Sequence, residues 1–283
     1  MPVALAEAGP VLDRLTPRVL FSDVDGTLVG RGASLLADMD GQPTLAAATA
    51  LVQAHTAGLT VVLVSGRTRA QLFESGRLIG LRDAIGELGT VLLVDGEPEM
   101  LWGEMPSGLA ATPVEAFAKL GLVELLLDTY KGRLEYHTPW HLGRSGTVLL
   151  RGKVDAAEAD ALLAANGAGW ARLVDNGRLR GPYPHLGLGH REASAYHLLP
   201  AGTGKGAAVA RYLERRGLGP EHAAAIGDST ADLELGRATG AMFLVANAGP
   251  DTVAAAGPET ILTTGAAGIG WAEAVTALLA RMR

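Results

Sequence analysis

The sequence predicts an α/β fold, a parallel-sheet core interrupted by an inserted α+β cap. Three observations carry the prediction. Short apolar runs alternate with Ala-rich helical stretches, the pattern of parallel strands covered by helices. The 283 residues suffice for two domains, or for one large domain with an insertion. Between residues 104 and 196 the texture changes, and polar, aromatic-bearing strands replace the apolar runs.

Strands are expected at Val19–Asp23, Thr60–Ser65, Val91–Val94, Ala223–Gly227 and Met242–Val245, because each is a short apolar run bounded by turn-forming residues. Helices are expected at Thr44–Ala57, Arg69–Ile79, Lys205–Arg216 and Asp232–Ala238. The joints GLGP at 217–220 and AGP at 248–250 punctuate them. This alternation describes a Rossmann-like core over residues 1–103 and 197–283. In the 104–196 cap, the polar strands GRLEYHTPW and SGTVLLRG and a helix at Asp155–Ala165 precede WARLVDNGRLRGP, where Asp175–Gly177 is read as a turn. Hinges are placed near 100–105 and 195–202, and no internal repeat is present.

Composition narrows the function classes. There is no cysteine, which excludes thiolate catalysis, disulfides and thiolate zinc sites. Hydrophobic residues make up 48% of the chain and mean hydropathy is +0.21, yet no apolar run reaches the roughly 18 residues of a membrane span. The opening MPVALAEAGPVLDRL lacks the basic region of a signal peptide, so a soluble, cytoplasmic protein is expected. A net charge of -6 gives no electrostatic reason to expect nucleic acid or an anionic membrane as partner. No feature sets an oligomeric state.

Four segments fall at the C-terminal ends of expected core strands, where open α/β sheets bind ligands. The first is DVDGT at 23–27. In an extended chain residues i and i+2 share a face, so Asp23 and Asp25 repel one another unless a cation lies between them. The second, VVLVSGRT, brings Ser65, Gly66 and Arg67 to a helix entrance, and Ser65 with Gly66 forms a small anion site. The third is Lys205 in PAGTGKG, which opens a helix at the end where the dipole disfavours a cation and so implies a partner. The fourth is AAAIGDSTADLEL, with Asp228 at a strand end and Asp232 four residues on, placed to hold a ligand or Lys205.

A hard cation such as Mg²⁺ takes oxygen ligands, and Asp23, the Asp25 carbonyl and Asp228 suffice to hold it. With Mg²⁺ and Lys205 screening charge, Asp23 is set to attack phosphorus. Asp25 is then placed to protonate the leaving oxygen and activate water. GTGKG does not complete a phosphate loop, since Leu199 stands at the first glycine and Gly206 replaces the hydroxyl. TGAAGIG at 264–270 reads as a loop into the last helix.

These four segments, in this order, resemble the haloacid dehalogenase superfamily of phosphohydrolases: DVDGT its first motif, the strand ending in Ser65 its second, Lys205 its third and GDSTAD its fourth. The resemblance covers the two core segments. It implies an aspartyl-phosphate intermediate at Asp23, acid/base catalysis by Asp25 and dependence on Mg²⁺. The insertion between the second and third motifs resembles the cap of the sugar-phosphatase branch, with its sucrose-phosphate, trehalose-phosphate and mannosylglycerate-phosphate phosphatases and its phosphomannomutases. Ala231 stands where many cap-bearing members have Asn, and VANAGPDTVAAAG places Asn247 near the site as a contact for Asp232 or the phosphate. In the cap, His137 and Arg144, with Tyr136, Trp140 and His141 around them, and His190 and Arg191, near Tyr183 and His185, are the candidates for contacting substrate. The expected function is hydrolysis of a small phosphorylated metabolite, a sugar phosphate first. A phosphomutase and a phosphate-binding module without turnover are the alternatives.

Overall fold

The computed structural model describes residues 1–179, 181–188 and 192–282. Arg180, Gly189, His190, Arg191 and Arg283 lie outside that set, and with them the cap candidates His190 and Arg191.

The larger sheet has nine strands: β1 (Val3–Ala4), β2 (Val19–Asp23), β3 (Thr60–Val64), β4 (Ala84–Gly86), β5 (Val91–Val94), β6 (Glu97–Met100), β11 (Ala223–Gly227), β12 (Ala241–Leu244) and β13 (Thr260–Leu262). The smaller has four: β7 (Leu134–Tyr136), β8 (Val148–Gly152), β9 (Ala171–Arg178) and β10 (Ser194–Pro200). The helices are α1 (Gly9–Leu12), α2 (Ala46–Ala57), α3 (Arg69–Leu78), α4 (Pro113–Lys119), α5 (Leu122–Thr129), α6 (Ala156–Ala165), α7 (Lys205–Arg216), α8 (Leu233–Gly236), α9 (Pro250–Ala255) and α10 (Ala267–Leu279). None of the described helices is long and apolar enough to cross a membrane.

The large sheet runs β1-β13-β12-β11-β2-β3-β4-β5-β6, parallel except where β5 and β6 fold back as an antiparallel edge. Its middle decides where chemistry can occur. The chain leaves β2 for β3 on one side, whereas β11 pairs with β2 on the other, so the strand order reverses at β2 and opens a crevice at the strand ends. Asp23 is in register with Val64, and Ile226 with Ser22, so the residues that follow each strand meet at one rim.

β2 is buried along its whole length, as expected of a strand covered on both faces. One face packs on α2 and α10 through Ala50, Ala54, Trp271, Ala274 and Leu278. The other packs on α7 through Ala208, Val209, Tyr212 and Leu213, a helical stripe that starts at Lys205. α7 stops at Gly217, whose left-handed φ of 61° lets its N–H cap the carbonyls of Leu213 and Glu214. The small sheet has a core of its own, in which Phe117, Leu126 and Leu163 pack beneath Leu150 and Leu198.

Three readings need correction. Asp175–Gly177 is not a turn: β9 continues through it, and the register against β10 slips between Ser194 and Tyr196. With Gly177 at φ 102°, the DNG sequence makes a bulge on an edge strand, where an extra residue is accommodated by bending. β10 continues in the small sheet to Pro200, past the expected boundary at 196. The expected helix Asp232–Ala238 is a tight turn at Thr230–Asp232 followed by the short α8. Helices α1, α4, α5 and α9 and strands β1, β4, β6, β10 and β13 are not among the elements expected from the sequence.

Candidate active site

β2 delivers Asp23 nearly buried, with its carbonyl accepting from Ser22 Oγ at 2.7 Å, which is itself held by Trp271 Nε1 at 2.9 Å. β11 ends in Gly227, where a Cβ would lie 2.2 Å from that of Asp232, so glycine is what admits the Asp232 carboxylate under the strand end. Gly26 has φ 85°, and a Cβ there would stand 2.5 Å from Asp228 Oδ2. The DVDG turn and the GDST turn therefore close on one another only with glycine at both positions.

Lys205, 4% exposed, joins them. Its Nζ donates to Asp23 Oδ1 at 3.0 Å and to Asp232 Oδ1 at 2.6 Å. Asp232 is 0% exposed, and its other oxygen accepts from the backbone N–H of Asp228 and Ser229 and from Ser229 Oγ at 2.6 Å. Asp232 is thus fully occupied in holding Lys205 and the turn. Asn247 is brought to Gly26 and Asp228 and not to Asp232 or an anion site: Nδ2 donates to Gly26 O at 2.9 Å and to Asp228 Oδ2 at 3.4 Å, while Oδ1 accepts from Ala267 N. No contact of Ala231 explains the departure from Asn at that position.

Ligand atoms of Asp23, Asp228 and Asp232 lie within 4.8 Å of one another. Three carboxylates around one ammonium leave uncompensated negative charge, and the Asp23 and Asp228 carboxyls respond. Burial, reinforced by Asp232, pushes the Asp23 carboxyl well up despite Lys205. Burial and Asp232 push Asp228 up to about 7, and against its burial Asp23 and Asp232 raise Lys205. A divalent cation beside Asp23 and Asp228 removes that strain, so the donor set fits Mg²⁺.

Asp25 turns away from this cluster. Arg67 grips it in a fork, Nη2 to Oδ1 at 2.6 Å and Nε to Oδ2 at 2.9 Å, in a half-exposed position. Ser65 is buried beside β2, and its Oγ accepts from Arg67 N at 3.3 Å. Arg67 is a site residue that sequence reasoning quoted but left without a role; its place directly after Ser-Gly was the available signal.

Between the strand ends and the cap lies a cavity of about 540 Å³, lined by Asp25, Ser65, Gly66 and Arg67 from the core and by His137, Trp140, Arg144, Asn176 and His197 from the cap. Arg144 Nη1 donates to Gly66 O at 2.9 Å and to Thr147 Oγ1 at 3.1 Å, and Nε donates to Trp140 O. All three acceptors are neutral, and among the described residues no carboxylate lies within ion-pair distance of this guanidinium. Burial and nearby arginines press His137 down to about 4, and burial with Arg144 and Lys205 presses His197 well below its ordinary value, so both rings are neutral at pH 7. Asn176 and His197 went unread as site residues, because only the bulge at Gly177 and the pairing of β10 bring them over Gly66. A Cβ on Gly66 would come within 3.1 Å of Asn176 Nδ2 and of His197 Nε2.

Residues 188–272 match the profile of the haloacid dehalogenase-like hydrolases. A phosphoglycolate phosphatase of Staphylothermus marinus is 28% identical over 266 residues, 93% of this chain and 98% of that one. A phosphoglycolate phosphatase of Archaeoglobus fulgidus is 29% identical over 235 residues, 82% and 85% of the two chains. Among solved structures, the sucrose-phosphatase of Synechocystis with sucrose and phosphate superposes at a TM-score of 0.64 and 15% identity, over 93% of this chain and 98% of that one. A Thermoplasma acidophilum protein superposes at 0.62 and 17%, over 93% and 98%. At these identities the superpositions establish the shared fold.

Proposed function

We propose that the chain is a haloacid dehalogenase-like hydrolase, a Mg²⁺-dependent phosphatase of a small phosphorylated metabolite. The observation that carries the reading is Lys205 Nζ shared between Asp23 and Asp232, with Asp228 inside the same acidic cluster. A buried lysine, together with a carboxylate cluster that would hold a divalent cation at a sheet switch point, provides a nucleophile and positive charge to receive a dianion.

In this reading an Asp23 oxygen attacks phosphorus, and the bond from phosphorus to the ester oxygen breaks. Asp25, which takes up a proton from solvent on leaving the Arg67 fork, gives that proton to the departing oxygen. The carboxylate so formed takes a proton from water, which attacks the aspartyl phosphate; phosphate leaves and Asp23 is regenerated. Lys205, Ser65 Oγ and the Gly66 N–H hold the phosphoryl oxygens, and Asp232 keeps Lys205 in place. Asp23, Asp228 and the Asp25 carbonyl would hold Mg²⁺, which would supply positive charge to the phosphoryl group.

Two leaving groups have support. Arg144, a guanidinium without an acidic partner on the cavity wall, favours a carboxylate, in keeping with the phosphoglycolate phosphatases among the relatives. The neutral rings of His137 and His197 and the Asn176 amide suit hydroxyls and support the sugar phosphate expected from the cap. Release of phosphate from 2-phosphoglycolate and from glucose 6-phosphate, with and without Mg²⁺ and with any isomerised product measured, separates these readings from each other and from a mutase. Asp23→Asn is expected to abolish release while remaining folded. Activity persisting in that variant overturns the assignment of the nucleophile.

A further inference from the structure

The loop between β4 and β5 contributes nothing to the chemistry above, yet its backbone is strained beside the cavity. Glu87, Leu88 and Gly89 are left-handed in succession, with φ of 48°, 55° and 97°. Only the glycine is at ease there, and such backbone persists where the surroundings hold it. They do so on two sides. A Cβ on Gly89 would lie 2.1 Å from Gly204 O, immediately before Lys205, and a Cβ on Gly146 would lie 2.0 Å from Thr90 Oγ1. One core loop is therefore wedged between the entrance of α7, which carries the phosphate-side lysine, and the start of the cap strand β8.

Glu87 is 1% exposed, and among the described residues no cation lies within ion-pair distance of it. Its carboxylate is spent on the cap: Oε1 accepts from Ser145 N at 3.3 Å, and Oε2 accepts from Gly146 N and Thr147 N at 3.0 Å each and from Thr147 Oγ1 at 3.4 Å. The Thr147 hydroxyl has one proton. If it goes to Glu87, the oxygen can only accept from its other neighbours. One is Arg144 Nη1 at 3.1 Å, and the other is His197 Nδ1 at 3.2 Å. His197 is neutral by burial, so carrying its proton on Nδ1 leaves Nε2 as a bare acceptor on the Gly66 side of the cavity.

We infer that Glu87 is a positioning residue. Acting from the core through the Thr147 hydroxyl, it holds Arg144 and fixes His197 in the Nδ1–H tautomer, so that the cap offers the leaving group a cation beside a hydrogen-bond acceptor. The leaving group this arrangement reads bears a hydroxyl donor, an anion, or both. The kinetic consequence rests on the phosphatase reading; the tautomer does not.

The test uses the full-length protein labelled with ¹⁵N-histidine. In the wild type at neutral pH, the His197 ring resonances are expected to show protonation at Nδ1, whereas in Glu87→Gln and Thr147→Val the proton redistributes toward Nε2. In the same variants, KM for the faster of 2-phosphoglycolate and glucose 6-phosphate is expected to rise about tenfold, the scale of one lost buried hydrogen bond, with kcat falling less. The double variant should be no worse than the worse single one, because both act along one path. If Glu87→Gln fails to fold, Thr147→Val decides alone. A wild-type ring protonated at Nε2, or a tautomer unchanged in the folded variants, overturns the inference and leaves the phosphatase reading standing. A wild type that hydrolyses neither ester overturns the kinetic part together with the phosphatase reading.

Discussion

Lys205 is the residue on which the site turns. It opens a helix at the wrong end for a cation and is buried, and both penalties are offset by the two carboxylates it bridges. Lys205→Met leaves Asp23 and Asp232 buried without a counter-charge. It is expected to lose turnover and to cost about 3–5 kcal/mol of stability, read by denaturant unfolding. Asp228 gives a pH dependence of definite sign. Its carboxyl is raised from 3.8 to about 7, so the stability contributed by its protonated form is complete below about pH 4 and is lost as pH rises through about 7. The metal-free wild type should therefore lose Tm relative to Asp228→Asn across that window, and Mg²⁺ should restore it at the upper end, where it replaces the proton. At this scale the acids follow expected strand ends within a few residues, and Lys205 stands out in the sequence because it opens an expected helix. Glu87, Asn176 and His197 were not legible there, because no local spacing records that they meet across the cap and core.

Among the elements, β9 shows how a local signal can be true and still mislead. Asp-Asn-Gly is a strong hairpin sequence, but here pairing with β10 resumes on both sides of it, and the positive φ of Gly177 is used for a bulge. The bulge sets Asn176 on the cavity wall. Gly177→Ala forces a side chain into φ 102° and is expected to cost about 1 kcal/mol or more. It should also lower kcat/KM for the metabolite by disturbing Asn176; an unchanged kcat/KM in the destabilised variant would remove Asn176 from the site. By contrast, β2, β5, β11 and α7 were placed by sequence to the residue, because burial on both faces or a clean helical stripe leaves only one reading.

For the molecule as a whole, the change of texture after residue 104 announces a second sheet with its own core. We propose that this unit is the cap, with β10 its last element. β10 ends at Pro200, within the hinge expected at 195–202 and four residues past the boundary drawn at 196. If the acidic rim binds Mg²⁺ only in the folded state, the ion stabilises the protein by mass action, about 2.7 kcal/mol at a concentration one hundredfold above its Kd. Thermal unfolding should show a Tm that climbs with Mg²⁺ in the wild type and stays flat in Asp228→Asn. The central claim is that Asp23 takes the phosphoryl group, and acid-quenched reaction with a ³²P-labelled ester followed by peptide mapping tests it most directly. Label on the peptide containing Asp23, absent from Asp23→Asn, is the expected result. Continued turnover with no label at Asp23, or with label at another residue, would contradict it.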